Sequence, residues 1–300
     1  MNIMILLNYN DFQTTEIFLN EIKEYKILHK IIVVDNCSTD NSYDLLKKFV
    51  SEKIDVISSD SNKGYASGNN YGIKYAEKNY IPQNIIISNP DINVSEDSIR
   101  NICNHLDSHD KVAAVSGLIH DINENIVANF AWRLPRYQHM IINTSLVLSK
   151  LHTIITSDSQ FYNRNELVDQ SGSFDVEVLS GCFFAIKYKV MKNIDYFDER
   201  TFLYNEETIL AHKIKEEGFK EVILVDEKII HHQGLSIKKS INNWKFKSKI
   251  LEESQLIYLK KYLKISKSKI RLFKICFYVG KYEKYLLTNI KQKLMEKSKE

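Results

Sequence analysis

Short apolar runs of strand length, separated by amphipathic stretches of helix length, recur along the first third of the chain and constrain its fold more than any other feature. Residues 3–7 (IMILL), 31–35 (IIVVD), 54–58 (IDVIS) and 84–88 (NIIIS) are such runs, with helical patterns over 13–26 and 69–80. Continuous apolar runs suit strands buried on both faces, and strand–helix–strand alternation builds a parallel sheet covered by helices. Further on, the pattern predicts helices near 96–107 and 206–217 and strands at 112–118, 178–187 and 221–225, with a polar, irregular stretch from about 121 to 176. The last 60 residues read as helices. The expected architecture is α/β, a mostly parallel sheet with helices on both faces, plus a C-terminal helical appendage.

The formal net charge of +3 hides a division within the 300 residues. Residues 237–300 carry 17 Lys, Arg271 and 5 Glu, a net of +13, which leaves −10 for the remainder. Among those lysines lie Trp244, Phe246, Tyr258, Tyr262, Phe273, Phe277, Tyr278, Tyr282 and Tyr285. Such a segment can lie on an anionic membrane surface, or pack on the rest of the chain or on a second subunit in a homodimer. The membrane surface is the expectation carried forward. Nucleic acid is not an expected partner, because no recognised binding motif accompanies the charge. Cys37, Cys103, Cys182 and Cys276 form no C-x-x-C pair, so neither a zinc site nor a disulfide framework is expected. No apolar run reaches the ~18 residues needed to span a bilayer, and no export leader is apparent at Met1. A cytoplasmic setting is expected.

Polar residues concentrate where the strands end, the place where open parallel sheets bind ligands. The first strand ends in Asn8-Tyr9-Asn10, the second in Asp35-Asn36-Cys37-Ser38, the third precedes Asn62-Lys63-Gly64, and the fourth ends in Asn89-Pro90-Asp91. A dinucleotide-dependent oxidoreductase would need G-x-G-x-x-G after the first strand, and residues 8–12 hold no glycine. The Gly-rich, Arg-containing N-terminal loop of sugar nucleotidyltransferases is also absent.

The blocks IIVVDNCSTD, NKGYASGNNYGI, NPD, FDERTFLYNEE and HHQGLS, in this order from about residue 2 to 240, resemble the family 2 glycosyltransferases of the GT-A fold, in particular a bacterial rhamnosyltransferase-like branch. The resemblance implies a catalytic domain over 1–238, with a donor half about 1–118 and an acceptor half about 119–238, followed by a basic amphipathic tail over 239–300. It implies an inverting transfer from a nucleotide-diphosphate sugar, dTDP-rhamnose first and a UDP-hexose as alternative, to a saccharide or lipid-linked saccharide in surface polysaccharide synthesis. The enzyme would be peripheral at the inner face of the cytoplasmic membrane. A catalytically degenerate glycan-binding relative stays open.

Residue roles follow from the same resemblance. Asp35 would read the base or ribose, with Asn8, Asn10, Asn36, Ser38, Asn62, Gly64, Asn69 and Asn89 along the donor. A side chain at position 64 would crowd the nucleotide, while Gly68 and Gly72 serve either the nucleotide or tight helix packing. Asp91, the last position of a D-x-D motif whose first carboxylate is here Asn89, would hold Mg²⁺ or Mn²⁺ on the diphosphate with His231; an ordinary Asn-Pro-Asp turn is the alternative. Gly234 and Ser236 complete that block. The base would be Glu207, standing where the family has Asp, or its neighbour Glu206, although paired acids also simply favour a helix start. Gly181 would let the backbone approach acceptor or diphosphate closely, and Cys182 is read as strand packing.

Overall fold

The computed structural model describes residues 1–156, 159–167, 171–232 and 243–297. Its first part is four parallel strands, β1 (Asn2–Asn8), β2 (Lys30–Asp35), β3 (Ile54–Ser58) and β4 (Asn84–Ser88), joined through helices α1 (Phe12–Ile22), α2 (Ser42–Leu46) and α3 (Tyr65–Asn79). β1, β2 and β4 are buried almost throughout, as their unbroken apolar character requires. After β4 come β5 (Ile92–Val94), α4 (Glu96–Ser108) and β6 (Val112–His120). Ser95 caps α4 by accepting from the Ser98 amide at 3.0 Å, with Glu96 and Asp97 in its first turn.

The stretch expected to be irregular carries elements of its own: β7 (Ala131–Trp132), α5 (Tyr137–Ile142), α6 (Leu146–Thr156) and β8 (Ser173–Val176). The single strand expected over 178–187 is two, β9 (Val178–Leu179) and β10 (Phe183–Lys187), because residues 180–182 leave the ladder. Then follow α7 (Tyr188–Asn193), α8 (Glu206–Glu216) and β11 (Lys220–His231), the last longer than expected and irregular in register between Leu224 and Lys228. Among the described residues the sheet order is β3-β2-β1-β4-β10-β6-β11-β5, with β8 against β11 and a separate β7-β9 pair. β10 lies antiparallel between β4 and β6, so the end of β4 meets the loop before β10.

The tail forms α9 (Trp244–Ile257), a π turn over Tyr258–Tyr262 and α10 (Lys267–Lys297). Its inward residues Tyr258, Leu259, Ile270, Phe273 and Phe277 bury against Met140 of α5 and Ile209 of α8, making a second apolar cluster. Packing on the rest of the chain, one of the two alternatives for the tail, accounts for this face.

Candidate functional site

On the donor side the strand-end residues bond mainly to one another. Asp35, 1% exposed, accepts from Asn8 Nδ2 at 2.9 Å, Ser38 Oγ at 2.6 Å and the Ser38 amide at 2.9 Å. Thr15 donates to Asn8 Oδ1 at 2.9 Å, and Ser38 Oγ also receives the Asn10 amide at 2.9 Å. Asn10 takes a left-handed backbone (φ 51°) and bonds Thr39 through its amide side chain. Asn36 donates to Asn62 Oδ1 at 3.1 Å and to the Gly64 carbonyl at 3.2 Å, while Asn62 Oδ1 receives the Gly64 amide at 3.0 Å. The carboxylate of Asp35 thus faces inward, and the half-buried Asn10, Ser38 and Asn62 form the outer layer of this network.

Gly64 meets a demand that the sequence did not show. Its φ is 94°, and a Cβ there would lie 1.9 Å from the Phe202 carbonyl oxygen, so backbone more than 130 residues on itself demands glycine here. The next amide, Tyr65, donates to that carbonyl at 3.0 Å. Gly68 and Gly72 serve packing: a Cβ would meet Leu7 at 2.5 Å and Ile5 at 2.7 Å respectively. One helix turn beyond Tyr65, Asn70 spans the two halves: its amide donates to the Phe197 carbonyl and to Glu199, and its oxygen receives the Phe197 amide at 3.0 Å. Asn69 donates to the Tyr65 carbonyl at 3.0 Å within α3, which leaves its Oδ1 buried and unpartnered.

The cation corner is made by sheet register. β5 pairs with β11 so that Ile92 faces His231, which brings Asp91 Oδ1 to 3.3 Å from His231 Nε2. Burial lowers the His231 pKa, but Asp91 and the Cys182 thiol outweigh it and raise the imidazole to about 10. Cys182 therefore lies in the loop before β10 and not in a strand; it packs in the main apolar core, as expected, and also reaches His231. Asn89 joins the same corner, its amide donating to the Cys182 carbonyl at 2.8 Å. Asp91 is 5% exposed, and its Oδ1 has no hydrogen-bond donor of acceptable geometry. That oxygen is ion-paired with the His231 imidazole, and the pair, a buried carboxylate beside a histidine, offers an oxygen and a nitrogen to a cation. Among the described residues no group of three or more His, Cys, Asp or Glu could enclose a metal. Gly234 and Ser236 lie outside the described residues.

The acceptor side centres on the start of α8. Tyr204 (φ 74°) and Asn205 (φ 68°) are both left-handed and turn the chain sharply into Glu206 and Glu207. Glu206 is 3% exposed with one carboxyl oxygen unpartnered; burial first, then the neighbouring Glu207 charge, push its pKa well above the ordinary value. Glu207 sits in a recess, half-buried yet closely surrounded, and burial raises its pKa while the amides of Glu207 and Gly181 oppose the rise. A Cβ on Gly181 would lie 2.3 Å from Glu207 Oε1, so glycine there makes room for the carboxylate itself. Tyr65 Oη donates to the Gly181 carbonyl at 2.6 Å, and Glu221 on β11 receives the Leu179 amide at 2.7 Å. Burial raises Glu221 to about 8. Loop 180–182 thus touches Glu207 on one side and Asn89 and His231 on the other, bringing the two expected sites together. Sequence reasoning overlooked Asn70, Tyr65 and Glu221. An Asn-Asn pair inside a helix, where asparagine is a poor former, was the available signal for Asn70.

Comparison with known proteins follows this geometry. The model of the family described as "Glycosyl transferase family 2" matches residues 4–194. The low-salt glycan biosynthesis hexosyltransferase Agl10 of Haloferax volcanii is 29% identical over 100 residues, a match spanning 33% of this chain and 30% of that protein. Among solved structures, S. aureus TarS 1-349 in complex with UDP-GlcNAc superposes with TM-score 0.55 at 14% identity, over 91% of this chain and 70% of that one. The mannosyltransferase PcManGT from Pyrobaculum calidifontis, in complex with GDP-Man and Mn2+, gives TM-score 0.55 at 14% identity, over 98% and 80%. At these identities the structures establish a shared fold.

Proposed function

The chain belongs to glycosyl transferase family 2, and from that premise we propose that it moves a hexose from a nucleotide-diphosphate sugar to a saccharide acceptor with inversion, Glu207 acting as base. The observation that carries this is the three-residue loop 180–182, with Glu207 packed on Gly181 and the Asp91–His231 corner against Cys182 and Asn89. An acceptor hydroxyl in that recess attacks the anomeric carbon from the face opposite the nucleotide and gives its proton to Glu207. The bond from that carbon to the diphosphate oxygen breaks, and its electron pair leaves with the nucleoside diphosphate. A divalent cation at Asp91, with His231 deprotonated to join it, would neutralise charge gathering on that leaving group.

Access favours Glu207 over Glu206 as the base. Glu206 is 3% exposed, out of reach of an acceptor, and burial with the neighbouring Glu207 charge pushes its pKa well above the ordinary value, which disfavours it as the ionised partner of the pair. Asn10, Ser38 and Asn62 would line the nucleotide, with Asp35 and Asn8 setting their orientation from beneath. The donor class begins with dTDP-rhamnose, on the resemblance of the motifs, and extends to UDP-hexoses and GDP-mannose. The acceptor is a lipid-linked saccharide, met at the inner face of the cytoplasmic membrane.

Melting-temperature shifts with a panel of these donors, with and without Mn²⁺, followed by turnover of the best binder, test the proposal. A metal-enhanced shift for one donor and transfer lost in Glu207→Ala are expected. Transfer by that variant at the wild-type rate rejects the base, and a protein that no donor stabilises is a glycan-binding relative instead of an enzyme.

A further inference from the structure

Helix α6 has no buried residue, although its sequence LVLSKLHTIIT is among the most apolar in the chain. Leu148 and Leu151 are about half exposed, and Ile154 and Ile155 are each 78% exposed. Single exposed apolar residues are ordinary, whereas a contiguous set on one helix marks a contact surface. Helix α10 repeats the feature. Its inward face, Ile270, Phe273 and Phe277, is already buried in the second apolar cluster, while Leu272, Ile275, Val279 and Leu286 form a separate stripe at helical spacing, each 50% exposed or more. This outer stripe contributes nothing to holding the tail on the fold.

The two bare faces belong to one rigid unit. Glu283 accepts from the Val147 amide at 3.0 Å, Lys284 Nζ donates to the Asn143 carbonyl at 3.0 Å, and Gly280 lies so close that a Cβ would be 2.0 Å from the Thr144 carbonyl oxygen. Exposed cations accompany both stripes, Lys150 on α6 and Arg271 and Lys274 on α10, and the tail that carries α10 has a net charge of +13. A bilayer with anionic headgroups takes both features, apolar side chains entering the interface and lysines meeting phosphates. None of the described helices is long and apolar enough to cross a membrane, so contact is in the surface plane.

We propose that α6 and the outer stripe of α10 together dock the protein onto an anionic lipid bilayer. This deepens the lipid-linked acceptor reading, and it can be tested without donor or acceptor. The full chain is sedimented with phosphatidylcholine vesicles and with vesicles containing phosphatidylglycerol. Binding to the anionic vesicles alone is expected, with a partition coefficient roughly tenfold or more lower in the double variant Ile154→Asp, Ile155→Asp. Because both side chains face solvent, that variant should melt like the wild type and keep its transfer to a soluble acceptor. Wild type that ignores anionic vesicles, or a double variant that binds them undiminished, overturns the proposal. So does gel filtration in which the wild type is a dimer and the variant a monomer, which would make this face a self-contact. None of these outcomes touches the transferase reading, which stands or falls on donor binding and Glu207.

Discussion

The ends of β1 and β2 and the start of α8 treat their acids in opposite ways. Asp35 is buried and receives three hydrogen bonds from Asn8 and Ser38, whereas Glu206 is as deeply buried with a carboxyl oxygen left unpartnered and a charged neighbour. A satisfied buried acid rigidifies its surroundings, and an unsatisfied one costs stability and shifts its pKa. The strand ends around Asp35 are therefore prearranged by stable hydrogen bonding, and the start of α8 keeps acids in an unfavourable setting. Such a setting is expected where a proton must be taken up near neutral pH.

Substitutions on the two sides should separate accordingly. The largest effect is expected at Glu207: Glu207→Gln should lower kcat by about 10³-fold without weakening donor binding, while Glu206→Gln retains most turnover. Steady-state kinetics on both variants would break the contrast if the two losses were equal. The pH profile should sharpen it, since a base with a raised pKa loses activity as pH falls through a value above the ordinary glutamate range.

Glu221 should show the same cost as stability. The unfolded chain titrates it near 4.5 and the folded chain near 8, so the folded state holds the extra proton. Its contribution is complete below pH 4.5 and is lost as pH rises through 8, a difference on the order of 5 kcal/mol. Urea unfolding of Glu221→Gln at pH 5 and pH 8 should show that slope flattened; an unchanged slope would mean the carboxyl is not the source.

Substitutions that break a satisfied or glycine-dependent contact should cost stability without such a pH slope. Gly64→Ala, forced into left-handed backbone and against the Phe202 carbonyl, should lose about 3 kcal/mol. Its denaturation midpoint should fall at every pH. Asp35→Asn, which keeps the shape but disrupts the Ser38 contacts, should lose about 2 kcal/mol. If Asp35→Asn proved neutral, the description of the donor side as locked by hydrogen bonds would fail.

Much of this molecule is written locally. The alternation of apolar runs with amphipathic helices determined the strands of the donor half, and polar residues at strand ends marked Asp35, Asn36, Asn62 and Asp91, because side-chain periodicity and turn chemistry depend on neighbours in sequence. Contacts across the chain were not legible in this way. That Gly64 answers to the Phe202 carbonyl, that Cys182 leaves its strand to touch His231, and that Glu207 and Asp91 share one short loop are consequences of β10 entering antiparallel between β4 and β6. Likewise, the lysine-rich composition of the tail named two environments for it, but only packing decided that Phe273 and Phe277 turn inward while Leu272 and Ile275 stay bare. A sequence pattern states that a face is apolar; which surface covers that face depends on elements brought together from far apart in the chain.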